Sequence, residues 1–303
     1  MKKILLFFTI IIVIICTIDI LFGVASKYYV KNYRLPGDYE LIDYLMKDSN
    51  DSIIILGNSV ASNSLIPSII EDSLRTTCFN GGANAQRMIY YRTMLDCILK
   101  RHTPKMIVLG IGPDALHEDE MGRYEVLSPY YHTGYTIIDS CLESKSTHEK
   151  IFFKSNLYRY NTIWFRLLLY NFITPNERGH KGFIAMSQPL YPTKMKILEG
   201  TDSVSSIRLN DFKYIVNTCK QNNIKLIIYF PPSFIHYKKT SATIQIINKI
   251  CKENNIPVYN DSHDTYFQQH NEWFHDNVHL AKEGAIVYSK LFISRIKNSL
   301  MEE

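Results

Sequence analysis

The sequence has no dense run of lysine and arginine, no internal repeat and no low-complexity tract. It also lacks zinc-like Cys/His spacing, a Walker loop and a complete dinucleotide fingerprint. Its basic residues are scattered and the net charge is a mild +5, so nucleic acid is not an expected partner. GIGPDA at 110–115 resembles a Gly-x-Gly-x-x-Gly loop, but Pro113 interrupts it and the third glycine is missing. Of six cysteines, the five outside the N-terminal apolar run are scattered and odd in number, which argues against a disulfide framework and leaves room for one bridge. Cys16 lies in an apolar run, and most of the cysteines read as small buried apolar residues. No metal site and no cofactor is expected.

A long apolar run is present. Ile4 to Val24 carries one charge, Asp19. As a helix, about 21 residues at 1.5 Å each span the ~30 Å hydrocarbon layer. A cleaved leader usually has a shorter apolar core, GVAS is a poor cleavage site, and Ile15 before Cys16 does not suit lipidation. The expectation is an uncleaved, single-pass inner-membrane anchor over 1–26. Asp19 would then lie near one interface or pair with a partner helix. Lys2 and Lys3 precede the run, while Lys27, Lys31 and Arg34 follow it, so local charge does not orient the span. The basic stretch ahead of the run favours a cytoplasmic start and an extracytoplasmic, periplasmic remainder.

Residues 27–50 read as a stem, broken at Pro36-Gly37. Five short apolar runs follow at 52–57, 76–80, 106–111, 224–230 and 256–260. Most lack polar alternation, which suits strands buried on both faces of a parallel sheet. Helical stripes lie between them: Met88, Tyr91, Leu95, Ile98 and Leu99; Leu209, Phe212, Ile215, Val216 and Cys219; Ile244, Ile247, Ile250 and Cys251; Ala285, Tyr288, Phe292 and Ile296. The alternation predicts a doubly wound α/β domain over 51–300. The stretch 115–205 shows no clear strand and reads as an inserted helical region. Residues 124–172 hold 12 aromatics, either the core of that insertion or a wall that stacks on sugars or holds an acyl chain.

In such sheets ligands sit beyond the carboxyl ends of the strands. Three segments there carry candidate chemistry. Leu56-Gly57-Asn58-Ser59 leaves the first strand through a tight turn that can present a hydroxyl; Ser59, Ser62 and Ser64 could instead cap a helix at 67–75. Asn80-Gly81-Gly82-Ala83-Asn84-Ala85 leaves the second strand with small residues that let backbone N–H groups approach a ligand, or it is a plain turn. His275-Asp276-Asn277-Val278-His279 precedes the last helix. An Asp and a His three apart can pair, the carboxylate fixing the imidazole. A metal reading of His275, Asp276 and His279 has no evident fourth ligand.

Together LGNS, FNGGANAQ and FHDNVHLAKEG resemble the first, second and fifth blocks of the SGNH (GDSL-type) hydrolase superfamily, over roughly residues 50–300. The resemblance implies a flavodoxin-like three-layer sandwich with a five-stranded parallel sheet. It implies Ser59 as nucleophile, His279 as general base and Asp276 as its orienting partner. It places the oxyanion hole at Ala85 or Gly82, with Asn84 able to supply a side-chain donor. The third block departs from the family pattern: Gly110-Ile111-Gly112-Pro113-Asp114 has no Asn. Loss of one oxyanion donor costs about 2.7–4 kcal/mol. An ionised Asp114 at ~4 Å would add about 4 kcal/mol of repulsion, so Asp114 is expected to point away or be protonated. With an anchor, the chain is also similar to envelope proteins that move or remove acyl groups. The implied function is O-acyl or O-acetyl transfer to, or removal from, a cell-envelope glycan or glycolipid, with a membrane-embedded acyl-donor partner. A simple esterase or lipase, and a catalytically inactive glycan-binding scaffold, are the alternatives.

Overall fold

The structure is a computed structural model. It describes the chain except residues 33–36, 118–121, 173–179, 189–193, 200–202 and 302–303. In chain order the elements are α1 (Lys2–Asn32), α2 (Asp38–Asp43), a π-helical turn (Tyr44–Asp48), β1 (Ile53–Gly57), α3 (Ser59–Ser64), α4 (Pro67–Leu74), β2 (Cys78–Asn80), α5 (Met88–Leu99) and β3 (Met106–Gly110). Then come α6 (Thr136–Glu143), α7 (Glu149–Phe152), α8 (Asn156–Phe172), β4 (Lys196–Leu198), α9 (Ser206–Gln221), β5 (Lys225–Phe230) and β6 (Ile235–Tyr237). The chain closes with α10 (Ala242–Glu253), β7 (Val258–Asn260), α11 (Thr265–Gln268) and α12 (Lys282–Met301).

These elements fall into two units, Met1–Asp43 with Tyr124–Asn176, and Tyr44–Arg123 with Glu177–Glu303. The larger unit is the α/β domain. Its five strands are all parallel in the order β2-β1-β3-β5-β7, the flavodoxin-like winding, so every strand ends on one edge. The five apolar runs of the sequence supply these five strands. β1 and β3 are buried at every position, as strands covered on both faces must be. Ile53, Ile55, Val108, Ile227 and Tyr229 point to one face, where they join Ile70 of α4 and Tyr288, Phe292 and Ile296 of α12. By the period-2 alternation Ile54, Ile107 and Ile228 face the other way, where α5 and α9 pack together. A second, two-stranded pairing of β4 with β6 was not foreseen, because KIL at 196–198 is too short to stand out from its surroundings.

The smaller unit is helical. It joins the N-terminal helices to most of the expected insertion, through contacts no local pattern reveals. α1 is one helix long and apolar enough to cross a membrane. Residues 38–48, placed in a stem by the sequence, are helical and carry buried Tyr39, Leu41, Ile42, Leu45 and Met46. Pro36 lies outside the described residues. Of the 12 aromatics in 124–172, Tyr124, Tyr130, Tyr131, Phe153 and Tyr160 are buried, and Tyr131 stacks on Phe153. These rings are core, the first of the two readings of that stretch, and do not form a sugar-stacking wall. All six cysteines are free thiols, with only Cys16 exposed.

Candidate active site

The turn after β1 is set by one glycine. Gly57 has φ +147°, and a Cβ there would lie 2.0 Å from the Gly110 carbonyl oxygen and 2.7 Å from Ala61 Cβ. Gly57 and Gly110 are register partners on β1 and β3, which is why the backbones crowd at this edge. Asn58 then caps α3, its Oδ1 accepting from the Val60 amide at 3.1 Å. Ser59 becomes the first residue of the helix, and its hydroxyl is not used as a cap. The alternative of serines capping 67–75 is not realised either: α4 starts at Pro67 with no side-chain cap. The Ser62 hydroxyl lies 2.9 Å from the Ser59 carbonyl oxygen, and the Ser64 hydroxyl lies 3.1 Å from the Tyr229 hydroxyl.

The loop ahead of α12 brings the other two groups. His279 Nε2 lies 2.8 Å from Ser59 Oγ, although the two residues are 220 apart in sequence. On its far side His279 Nδ1 lies 2.8 and 3.0 Å from the Asp276 oxygens. A carboxylate accepts only, so Nδ1 carries the proton and Nε2 faces the serine as an acceptor. Backbone bonds staple this loop. Phe274 bridges Leu280, the His275 amide donates to the His279 carbonyl at 2.9 Å, and the Ala281 amide donates to the Trp273 carbonyl at 2.8 Å. Gly284 admits the close approach of α12, since a Cβ there would lie 2.3 Å from the Trp273 oxygen.

Asp276 is half-exposed, and burial by itself would raise its pKa. The His279 ring and the Val278 and His279 amides, the latter at 2.7 and 2.8 Å, outweigh that and hold the carboxyl well below the usual range. The group is therefore ionised wherever the imidazole can act. His275 turns away, its Nδ1 2.7 Å from the Ser187 carbonyl oxygen. It does not join Asp276 and His279, and the described residues contain no group of three or more His, Cys, Asp or Glu that could hold a metal.

The turn after β2 is braced by a residue the sequence analysis used only as a marker. Asn80 is completely buried, and its Nδ2 donates to the Ala61 and Leu65 carbonyls at 2.9 Å each. Its Oδ1 accepts from the Gly82 amide at 2.9 Å. The Gly82 N–H is thus committed to Asn80, which corrects its reading as an oxyanion donor. Gly82 serves packing instead, since a Cβ would lie 2.5 Å from the Ser62 nitrogen. Asn84 places its Oδ1 3.3 Å from the Ser62 hydroxyl, one helical turn from Ser59. Ala85 is exposed in the left-handed region at φ +56°, with its carbonyl accepting from the Arg123 amide at 3.2 Å.

Asp114 is turned back over Gly112 and lies 3.7 Å from Arg87 Nη1. Its charge therefore has a cation beside it, which offsets the repulsion expected at this block. Burial, then the nearby Asp114 charge, pushes the Tyr237 hydroxyl up to about 12. Arg87 was missed because it stands in no motif; its place at the start of α5 is what brings it to the third block.

No protein-family model matches the chain, and no curated protein does. Solved structures with a similar fold include a lipase/acylhydrolase from Enterococcus faecalis (9% identity, 82% of this chain and 96% of that one, TM-score 0.42). Others are the psychrotrophic esterase EstA from a Pseudoalteromonas species (10%, 82% and 97%, 0.41) and a family two carbohydrate esterase from Clostridium thermocellum, seen with cellohexaose (7%, 82% and 64%, 0.40). At these identities and scores the likeness is loose and adds nothing to the geometry of the site.

Proposed function

We propose that the chain is a membrane-anchored serine enzyme of the SGNH hydrolase kind that transfers acyl groups through an acyl-enzyme at Ser59. The observation that carries this reading is the Ser59–His279–Asp276 relay, with both hydrogen bonds at 2.8 Å. Ser59 Oγ attacks the carbonyl carbon of an acyl ester while His279 Nε2 takes its proton. Asp276 stabilises the imidazolium that results. The tetrahedral oxyanion is met by backbone N–H groups, for which the Ser59 and Ala85 amides are the candidates, with Asn84 Nδ2 as a third donor. Collapse expels the alcohol, which takes the proton back from His279 Nε2. A second hydroxyl then repeats the sequence in reverse, giving up its proton to His279 and leaving with the acyl group.

The second hydroxyl belongs, in this reading, to a glycan or glycolipid of the cell envelope, with the acyl donor delivered by a partner within the membrane and residues 27–303 outside the cytoplasm. Water at roughly 55 M competes with an acceptor near 1 mM, so transfer needs about 6–7 kcal/mol of preference. Tyr124, Tyr130, Tyr131, Phe153 and Tyr160 are core and do not supply it. The anchor does part of the work by holding the enzyme at the surface where such acceptors are concentrated. A fluorophosphonate probe should label Ser59 alone, as mapped by mass spectrometry, and labelling that survives in Ser59→Ala would end the serine mechanism. An activated acyl ester should then be supplied with and without envelope oligosaccharides. Free acid formed at one rate regardless of acceptor, with no glycan ester, would make the enzyme a hydrolase rather than a transferase.

A further inference from the structure

Within the helical unit, α1 is not a free-standing helix. Asp19, the one charge in its apolar run, accepts four hydrogen bonds from the start of α8: Ser155 Oγ at 2.6 Å, the Asn156 amide at 3.0 Å, Asn156 Nδ2 at 3.0 Å and the Leu157 amide at 2.8 Å. It serves as the anionic cap of α8, where a helix leaves its first N–H groups unmatched. Farther along both helices Trp164 Nε1 donates to Ser26 Oγ at 2.8 Å, and the indole lies against Phe22 and Tyr29. The two helices therefore run parallel. Gly23 permits the approach, since a Cβ there would lie 2.3 Å from Asn156 Cγ.

This joint fixes a depth. From Ile4 to Ile18 the helix covers about 22 Å, while a hydrocarbon layer is about 30 Å thick. The missing ~8 Å is roughly five more residues, which carries the layer past Asp19 to about Gly23. The surface agrees: Ile20, Leu21 and Val24 remain exposed at 60%, 64% and 64% on α1, level with the start of α8. Just before and within the start of α8, Ile151, Phe152 and Leu157 are exposed as well. Lys145, Lys150 and Lys154 are exposed among them, while Glu149, the one acid in 144–157, is buried and accepts from the Tyr158 hydroxyl at 2.8 Å. Exposed apolar side chains flanked by three exposed lysines, of which only Lys145 shares a groove with the acids Glu125 and Glu149, sit at the end of the segment hydrogen-bonded to α1 and match the chemistry of an anionic lipid interface.

We infer that Lys145–Leu157 is a second membrane contact: Ile151, Phe152 and Leu157 enter the boundary between headgroups and acyl chains, and the three lysines engage lipid phosphates, at a depth set by Asp19. This rests on the reading of α1 as a membrane span. The occupant is lipid and not a protein, so pure lipid should suffice. The test uses the full chain in lipid nanodiscs, in a Cys16→Ser background that leaves only buried thiols. An environment-sensitive fluorophore is placed at Ile12→Cys, Phe152→Cys or Lys31→Cys in turn. Residue 31 lies about 18 Å beyond Asp19 along the same helix. Lipids carrying a quencher near the headgroup should quench the label at 152 severalfold more than the label at 31. Lipids carrying it near the acyl terminus should quench the label at 12. Quenching at 12 with none at 152 beyond that at 31 overturns the second contact and leaves the span intact. No quenching at 12 removes the span, and the inference with it. Shielding at 152 that appears only when membrane proteins are added overturns it in favour of a protein partner. Phosphatidylglycerol should raise the quenching at 152, and Lys150→Glu with Lys154→Glu should remove that gain; quenching indifferent to both would strike out the lysine contacts.

Discussion

Replacing Asp276 by Asn should be more damaging than replacing it by Ala, although Asn is the closer copy. In the native loop Asp276 Oδ1 accepts from the Val278 and His279 amides, and Oδ2 accepts from His279 Nδ1 at 2.8 Å. An Asn must keep its oxygen on the two amides, which can only donate, and so turns its NH₂ towards Nδ1. That nitrogen is then forced to accept, and the imidazole proton moves to Nε2, facing Ser59 Oγ at 2.8 Å. A base that already holds its proton cannot take another. The wrong tautomer costs about 10⁴-fold in a serine triad, or roughly 5.5 kcal/mol at 1.36 per tenfold. Asp276→Ala leaves room for water, which can accept from Nδ1 at this half-exposed position, so the expected loss is about 10²–10³-fold, within the range of ordinary acid–base contributions. The rate of fluorophosphonate labelling measures this without knowledge of the substrate. Labelling in Asp276→Asn within tenfold of the native rate, or faster than in Asp276→Ala, would refute the tautomer argument.

Three further outcomes follow from the site. Asn80→Leu strands two carbonyls and the Gly82 amide in a buried place. At about 1–3 kcal/mol each, partly relieved by relaxation, the loss should be near 3–6 kcal/mol, read as a fall in thermal midpoint of about 10–15 °C; a fall under 3 °C would show the brace to be dispensable. Arg87→Ala should slow labelling severalfold by unbalancing Asp114, and adding Asp114→Ala should restore it, whereas an unrestored double variant would make the role of Arg87 purely structural. Asp276 has a depressed folded pKa, so its carboxylate persists above the unfolded value of about 3.9 and is lost only as pH falls through the folded one. The labelling rate should therefore drop with the uptake of one proton down to about pH 4, and a two-proton slope above that pH would contradict the hydrogen bonding at Asp276.

The parallel sheet was legible because buried strands leave a plain trace: IIILG, MIVLG and KLIIYF are apolar at nearly every position. The meeting of Ser59, His279 and Asp276 was legible for a related reason. Ser59 and His279 each sit beside a glycine-shaped turn or a short Asp-x-x-His spacing, so their local geometry is written locally. The oxyanion side was harder to read. Whether the Gly82 amide is presented or consumed depends on the rotamer of Asn80, and the harmlessness of Asp114 depends on Arg87, 27 positions earlier in the chain. Neither leaves a periodic signal. The aromatics of 124–172 left two readings open because a small helical core and a sugar-binding wall use the same rings; burial decides for the core at Tyr124, Tyr130, Tyr131, Phe153 and Tyr160.

The Asp19 joint also sets a clock for biosynthesis. Its acceptor and the donor Ser155 are 136 residues apart in the chain. At about 5–20 residues per second, α1 is made some 7–27 seconds before its partner segment exists. Through that interval a carboxylate at the upper end of an apolar helix has none of its four eventual donors. Water at the bilayer surface can serve it there, but the hydrocarbon interior cannot. On the reading of α1 as a membrane span, the newly made helix waits with Asp19 held at the surface and reaches its final depth once the returning chain brings α8 to meet it.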